Sequence, residues 1–309
     1  MDTIKIYIDT DALSSFAMTD TPREIAAVMH EQGIEPVISD STVQEVLCTR
    51  DTSRRTLIGQ FIVELLQSGS ILAPVPHQIR WSSIDFAEGR GIFRPYRTGK
   101  EDWVKRLLAN ADRVTSGDID ALYRKRKDDD SYWDRMHATG RQVLQNLFSQ
   151  TNEAPALHDW LNMMDSHLEW FPVVSMVAPE ARPMIIGHER QFVEWNPLLR
   201  CYIEQFVLAI YRYTIEPPTA ASKKGPKWMD YFHGAFAGLV DVFVTNDKRF
   251  IRALKQHQQL RPEWRYLIHN QTELKRILSS KSGFKNTLVH KAIMAFPPRK
   301  EWIHSDLHG

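Results

Sequence analysis

Cysteine is scarce in this sequence, with only Cys48 and Cys201 among 309 residues. The two lie far apart and lack zinc-type spacing, so we expect free thiols in a reducing compartment rather than a disulfide framework. Long apolar runs are missing too, because the most apolar stretch, residues 201–213, contains Glu204 and Arg212; this argues against a membrane-spanning helix. The amino terminus has no basic region followed by an apolar run, so we expect no secretion signal and a cytoplasmic protein.

An excess of charge of either sign is also absent. The chain has 39 Lys and Arg against 38 Asp and Glu, a formal net charge of +1, so affinity for nucleic acid would have to come from a local basic patch. No GxSxG elbow, Walker A loop, strand-linked GxGxxG, CxxC or HExxH motif occurs, which leaves several common enzyme classes unsupported. The composition, 43% apolar and 25% charged, is that of a folded protein with one large or two smaller domains.

The most informative stretch runs from residue 228 to residue 254. It predicts first a helix rich in small residues, with Asp230 in its first turn. Residues 241–245 (DVFVT) follow as a buried strand, and Asn246-Asp247 marks the turn into another helix. Asp247 therefore comes just past the carboxyl end of a strand, where parallel sheets bind their ligands.

The amino end of the chain has the same pattern. Residues 4–8 (IKIYI) predict a strand that ends at Asp9. A helix, a second strand at 35–38 and a helix carrying Glu45 come next, and this alternation predicts a parallel α/β sheet. We expect the acidic side chains at strand ends and helix starts to lie at one edge of that sheet: Asp9, Glu45, Asp230 and Asp247.

These residues resemble those of the PIN-domain nucleases. The resemblance is carried by IYIDTDAL at the amino end and by DYFHGAFAGLVDVFVTNDKRF, which begins at Asp230. It implies a doubly wound, parallel-sheet α/β core built from residues 1–50 and 226–280. A mainly α-helical insertion would occupy residues 51–225, and a basic tail would follow at 281–309.

The resemblance also implies the chemistry of the site. In such nucleases an acidic cluster binds Mg²⁺ or Mn²⁺, so Asp9, Glu45, Asp230 and Asp247 are expected both to hold the metal and to be catalytic. Clustered carboxylates repel one another, and a hard divalent cation relieves that repulsion while activating water for attack on phosphorus. Behind these four, we expect three further residues to orient a ligand or water: Asp11, Thr245 and Asn246.

Each candidate has an ordinary alternative explanation. Asp9 and Asp247 are also residue types that form Asx turns and helix caps. Asp230 would be favoured at a helix amino terminus by the helix dipole alone, and Glu45 could be a solvated helix residue. The case for a site depends on their coincidence at one edge of the sheet.

Two basic stretches are candidates for nucleic-acid binding. Residues 80–106 mix cationic and aromatic side chains, as on surfaces that track a single strand and stack its bases, although an ordinary surface loop would look similar. The linker at 216–227 adds lysines next to Asp230, where they could hold a phosphodiester backbone. The residues predicted to bind are Arg90, Arg94, Tyr96, Arg97, Lys223, Lys224 and Lys227.

The sequence thus predicts a metal-dependent nuclease, an endoribonuclease acting on single-stranded RNA; the choice of RNA over DNA depends on the resemblance alone. The alternative is a non-catalytic PIN-like module that binds RNA or protein through the insertion. A third interpretation is a helical interaction protein, which would require Asp9 and Asp247 to lie far apart. A protein partner or inhibitor on the insertion, and a homo-oligomer, both remain open.

Overall fold

The computed structural model describes residues 3–73, 75–90, 101–124, 156–166, 173–215, 228–264 and 266–279, with a few helical residues between 131 and 146. The strands are β1 (Ile4–Ile8), β2 (Ile34–Ser39), β3 (Ile71–Ala73), β4 (Val242–Val244) and β5 (Leu267–His269). They form one five-stranded sheet in the order β3-β2-β1-β4-β5, and every neighbouring pair is parallel. The predicted parallel α/β sheet is confirmed.

Helices make up most of the remaining described chain. The first six are α1 (Thr10–Thr19), α2 (Pro22–Glu31), α3 (Asp40–Leu47), α4 (Thr52–Gln67), α5 (Val75–Ala87) and α6 (Glu101–Ala109). The next five are α7 (Leu157–Ser166), α8 (Val173–Met176), α9 (Arg182–Ile185), α10 (Glu189–Trp195) and α11 (Pro197–Ile215). The last three are α12 (Trp228–Ala235), α13 (Lys248–Leu260) and α14 (Gln271–Leu278). Residues 116–124 are also helical, and 3₁₀ turns occupy 111–113, 179–181 and 236–238.

The sheet has an apolar surface on both faces because its side chains alternate. In β1, Ile6 and Ile8 pack into one buried cluster with residues of α1, α2, α4, α6 and α14, whereas Tyr7 packs into the other. In β4, Phe243 lies on the same face as Tyr7, in the cluster formed with α10, α11, α12 and α13. Helices therefore cover both faces, as in a doubly wound fold.

The strand order creates a topological switch point between β1 and β4. The chain moves outward from β1 to β2 and β3, then returns to place β4 on the other side of β1. Ile8 is in register with Val244, and the Asp9 amide donates to the Val244 carbonyl at 3.0 Å. The residues that follow β1 and β4 are thus brought to the same edge, contrary to the wide separation that a helical interaction protein would require.

Two features of the described structure bear on the predicted organisation. β3, at Ile71–Ala73, is part of the sheet, and α4 packs against α1 and α2. The sheet and the helices packed on it therefore continue past residue 50, and the division into a core and an insertion stays a prediction. The basic and aromatic segment also begins on a helix, α5, where Phe86 packs against Phe192 and Trp195 of the core. Within the described ranges, no helix has the length and apolar character to cross a bilayer.

Candidate active site

Asp9 lies at the centre of the switch-point edge. It caps α1, and its Oδ1 accepts a hydrogen bond from the Ala12 amide at 2.9 Å. Asp9 is only 6% exposed, and this burial raises the pKa of its carboxyl to about 7 although hydrogen bonds from Thr245 and Ala12 oppose the shift. Near neutral pH this carboxyl group is therefore divided between its neutral and ionised forms, and a nearby cation would favour the ionised form.

Thr245 connects Asp9 to Asp247. The Thr245 side chain, fully buried, hydrogen-bonds to the Asp9 carboxylate, and its hydroxyl oxygen accepts from the Asp247 amide at 3.1 Å. Asp247 caps α13, where its Oδ1 accepts from the Arg249 and Phe250 amides at 2.7 and 3.2 Å. One buried hydroxyl thus joins the ends of β1 and β4, and the role of Thr245 in orienting a ligand stays a prediction.

Asp11 shows that the carboxylates form one electrostatic cluster. The side chain is exposed, yet partial loss of hydration and then the negative charges of Glu45 and Asp247 raise its pKa. The positive charges of Arg54 and His233 oppose this shift. Side chains from the ends of β1 and β4 and from α3 are therefore close enough to affect one another.

Glu45 takes part in a hydrogen-bonded network that the sequence did not indicate. His233 Nε2 lies 3.3 Å from Glu45 Oε2, and His233 Nδ1 lies 2.5 Å from the Tyr7 hydroxyl. That hydroxyl also lies 2.7 Å from Ser39 Oγ and 3.4 Å from Thr42 Oγ1. Four of these five side chains are buried, so the network holds Glu45 from the interior of the protein.

His233 places a cation among the carboxylates. Burial alone would lower the pKa of His233, but its contacts with Tyr7 and Glu45 raise that pKa well above its ordinary value. Burial raises the pKa of Tyr7, and the hydrogen bond and negative charge of Glu45 add to the contact with Tyr7 in favouring the imidazolium. The His233 charge in turn lowers the pKa of Asp9 and of Asp11.

The remaining predicted site residues are placed as follows. Asp230 is half-buried in the first turn of α12, one turn before His233, and so lies on the same side of that helix. Asn246 serves the fold, because its Nδ2 donates to Ser15 Oγ at 3.1 Å and its Oδ1 accepts from the Gln271 amide at 3.0 Å. Its role in orienting a ligand remains a prediction.

Among the predicted nucleic-acid contacts, only Arg90 is described. Its guanidinium pairs with Asp85 at 3.0 Å and with Glu88, so carboxylates of its own helix and turn already hold it. Its part in nucleic-acid binding stays a prediction. The other predicted contacts lie outside the described residues: Arg94, Tyr96, Arg97, Lys223, Lys224 and Lys227.

The donor set can be compared with what Mg²⁺ or Mn²⁺ requires. Across the described ranges, no three acidic, histidine or cysteine side chains converge closely enough to hold a metal ion. However, Mg²⁺ retains several waters and takes only one or two carboxylates directly. The helix-cap hydrogen bonds are accepted by Oδ1 of Asp9 and Oδ1 of Asp247. Neither cap uses the Oδ2 atom of its aspartate. The residues therefore fit a water-rich magnesium site better than a closed all-protein cage.

The fold and this edge define a doubly wound parallel α/β protein with coupled carboxylates at its topological switch point. Comparison with protein-family models, with curated proteins and with solved structures finds no match.

Proposed function

We propose that this protein is a Mg²⁺- or Mn²⁺-dependent nuclease with a PIN-like core, and that it cleaves single-stranded RNA in the cytoplasm. The observation that carries the proposal is the group of neighbouring carboxylates: partial burial and then the charges of Glu45 and Asp247 raise the pKa of Asp11, beside a buried Asp9 with a pKa of about 7. Such an arrangement is costly unless a cation neutralises it. Its position at a switch point, outside the carboxyl ends of strands, is where open α/β sheets bind ligands.

Each residue has a defined part in the proposed reaction. Asp9 and Asp247, joined through Thr245, would hold the metal from the ends of β1 and β4. Glu45, fixed by His233, would hold it from α3, and Asp230 from the first turn of α12. The bound metal would supply an activated water and neutralise charge on the leaving oxygen.

A non-catalytic PIN-like module that binds RNA or protein is the second candidate. One observation favours it: in the part of the chain that the structure describes, no three candidate ligands converge on one point. In such a protein the caps at Asp9 and Asp247 would be purely structural, and binding would depend on the insertion.

Cleavage of labelled single-stranded RNA and DNA with Mn²⁺, Mg²⁺ or EDTA separates the two. We expect metal-dependent cleavage of RNA that is abolished by Asp9→Asn, since asparagine keeps the helix cap but removes the charge. Asp230→Asn tests the predicted ligand on α12 in the same assay. Asp241→Asn is the matched control, because Asp241 accepts from the Lys5 amide at 2.8 Å, at the opposite end of the sheet. Cleavage that survives Asp9→Asn would rule out this site, and RNA binding without cleavage would establish the second candidate.

A further inference from the structure

Two consecutive arginines in the first turns of α4 have different environments. Arg55 is buried, and its guanidinium donates to the carbonyls of Ala111, Thr49 and Val114 at 2.8, 2.6 and 3.2 Å. These bonds tie α4 to the chain that follows α6, so Arg55 is structural. Arg54 is exposed and points to a different part of the surface.

Arg54 is held beside the acidic cluster. Its Nε donates to Ser14 Oγ at 2.9 Å, and Ser14 is a buried residue of α1, one turn after Asp11. Within the described residues, the only hydrogen bond of its guanidinium is the one from Nε to Ser14.

The chemistry of this arrangement suits a phosphate. An arginine anchored through Nε keeps two terminal amino groups in a fixed fork that matches two oxygens of a phosphate. A nucleic-acid strand that approaches Asp9, Asp11 and Glu45 carries negative charge toward negative charge, and a cation at the rim offsets that repulsion. Arg54 lies at that rim because its partner Ser14 stands one turn after Asp11 on α1.

We propose that Arg54, anchored by Ser14, binds a backbone phosphate of the single-stranded substrate at the rim of the acidic cluster. The inference rests on the proposed nuclease function, of which it names a substrate contact. It also accounts for the hydrogen bond to Ser14, which holds an otherwise free side chain in one direction.

The salt dependence of RNA binding tests this contact. Affinity of a fluorescent single-stranded RNA would be measured with Ca²⁺ in place of Mg²⁺, over a series of salt concentrations. We expect Arg54→Gln to weaken binding by roughly 10-fold, the lower range for a hydrogen bond to a charged group. The slope of log affinity against log salt should become shallower by about 0.7, the value for one phosphate on a single strand. Arg54→Lys should keep the slope because it keeps the charge.

Arg182→Gln is the matched control, since Arg182 is an exposed arginine of α9, a helix that packs against α5. It should leave affinity and slope unchanged.

An Arg54→Gln protein with wild-type affinity and slope would overturn the inference and leave Arg54 as a partner of Asp11 alone. If Arg54→Gln weakens binding but the wild-type protein cleaves nothing in the metal series, the phosphate contact stands and the nuclease fails. If the wild-type protein neither binds nor cleaves RNA or DNA, both fail.

Discussion

At the scale of single residues, Asp9 combines a structural and a chemical property. Its Oδ1 caps α1, which stabilises the fold in any ionisation state that leaves this oxygen an acceptor. Its burial, however, makes the ionised form costly and raises the pKa from 3.8 to about 7. Ionised Asp9 therefore lowers the stability of the folded protein near neutral pH. Such a cost is typical of a residue whose charge binds a ligand.

Asp9→Asn should stabilise the metal-free protein in a pH-dependent way. Between the unfolded pKa and the folded pKa, the native state holds a proton that the unfolded state has lost, so wild-type stability falls as pH rises through this window. From pH 5 to pH 8 the wild-type protein should lose roughly 2–3 kcal/mol relative to Asp9→Asn, at about 1.4 kcal/mol per pKa unit. Urea unfolding in EDTA at the two pH values measures the difference.

Added Mn²⁺ provides the control for that comparison. It should stabilise the wild-type protein at pH 8 and leave Asp9→Asn almost unchanged, because a ligand stabilises only the state that binds it. A stability difference that is the same at pH 5 and pH 8 would show that Asp9 ionises normally.

Tyr7→Phe should weaken metal binding although Tyr7 is no ligand. Its hydroxyl holds His233, which holds Glu45, and loss of such an outer partner typically costs 10-fold or more in metal affinity. Mn²⁺ affinity measured by electron paramagnetic resonance should fall roughly 10-fold. Tyr266→Phe also removes a buried hydroxyl, one that donates to the Leu254 carbonyl at 3.1 Å, and should leave the affinity unchanged. Equal affinities in the two variants would show that the network supports only the fold.

At the scale of elements, local signals predicted the strands and the capping carboxylates. Asp9 and Asp247 follow apolar strands, and turn and cap chemistry is encoded within a few residues. Tyr7 and His233 are 226 positions apart, and Arg54 and Ser14 are 40 apart; such pairings depend on sheet register and helix packing. The amino-acid pattern around His233 is equally that of a packed helix residue, so the sequence held no signal for its contact with Glu45.

Gly238, in the 3₁₀ turn after α12, lies close against the indole of Trp264. A Cβ at this position would lie 2.5 Å from Trp264 Cζ3 and 2.7 Å from Cε3, so the indole or the turn would have to shift. We expect Gly238→Ala to destabilise the protein by about 1–3 kcal/mol, the usual cost of overpacking. Thermal unfolding measures the loss.

Gly117→Ala is the control for Gly238→Ala. The nearest atom to an added Cβ at residue 117 is Thr115 Oγ1 at 3.7 Å, an ordinary contact. Because alanine favours helix, this variant should be neutral or slightly stabilised. A Gly238→Ala protein as stable as Gly117→Ala would mean that Trp264 moves aside freely.

At the scale of the whole molecule, the helices at 173–215 and the sheet share one interior. Tyr7 and Phe243 of the sheet pack in the same buried cluster as Phe192 and Trp195 of α10 and Tyr202 of α11. The described helices between residues 173 and 215 thus cover one face of the sheet. We therefore expect sheet and helices to unfold together.

Glu204 connects α11 with α13 and the chain that follows α13 through hydrogen bonds and ion pairs. It is buried on α11, and its Oε2 accepts from His257 Nε2 at 2.7 Å and from Trp264 Nε1 at 2.6 Å. Its Oε1 lies 3.1 Å from Arg200 Nε and 3.2 Å from Arg261 Nε. Burial opposes ionisation, but the hydrogen bond and charge of His257 and the two arginines outweigh it and lower the pKa of Glu204.

Glu204→Gln should destabilise the whole protein in one transition. The variant keeps the volume but leaves the buried guanidinium of Arg261 without its carboxylate, which typically costs about 3–5 kcal/mol. Because the folded pKa is lowered, the contribution of Glu204 is present above its unfolded pKa and is lost as pH falls through the folded value, so the penalty should shrink in acid. Urea unfolding followed by tryptophan fluorescence and by circular dichroism measures both the loss of stability and the cooperativity of unfolding.

Glu263→Gln is the control for Glu204→Gln. Glu263 pairs with Arg200 at 3.0 Å with its side chain 47% exposed, and such a pair contributes about 0–1 kcal/mol. Equal losses in the two variants, or separate transitions for the two probes, would show that Glu204 does not join the helices to the sheet.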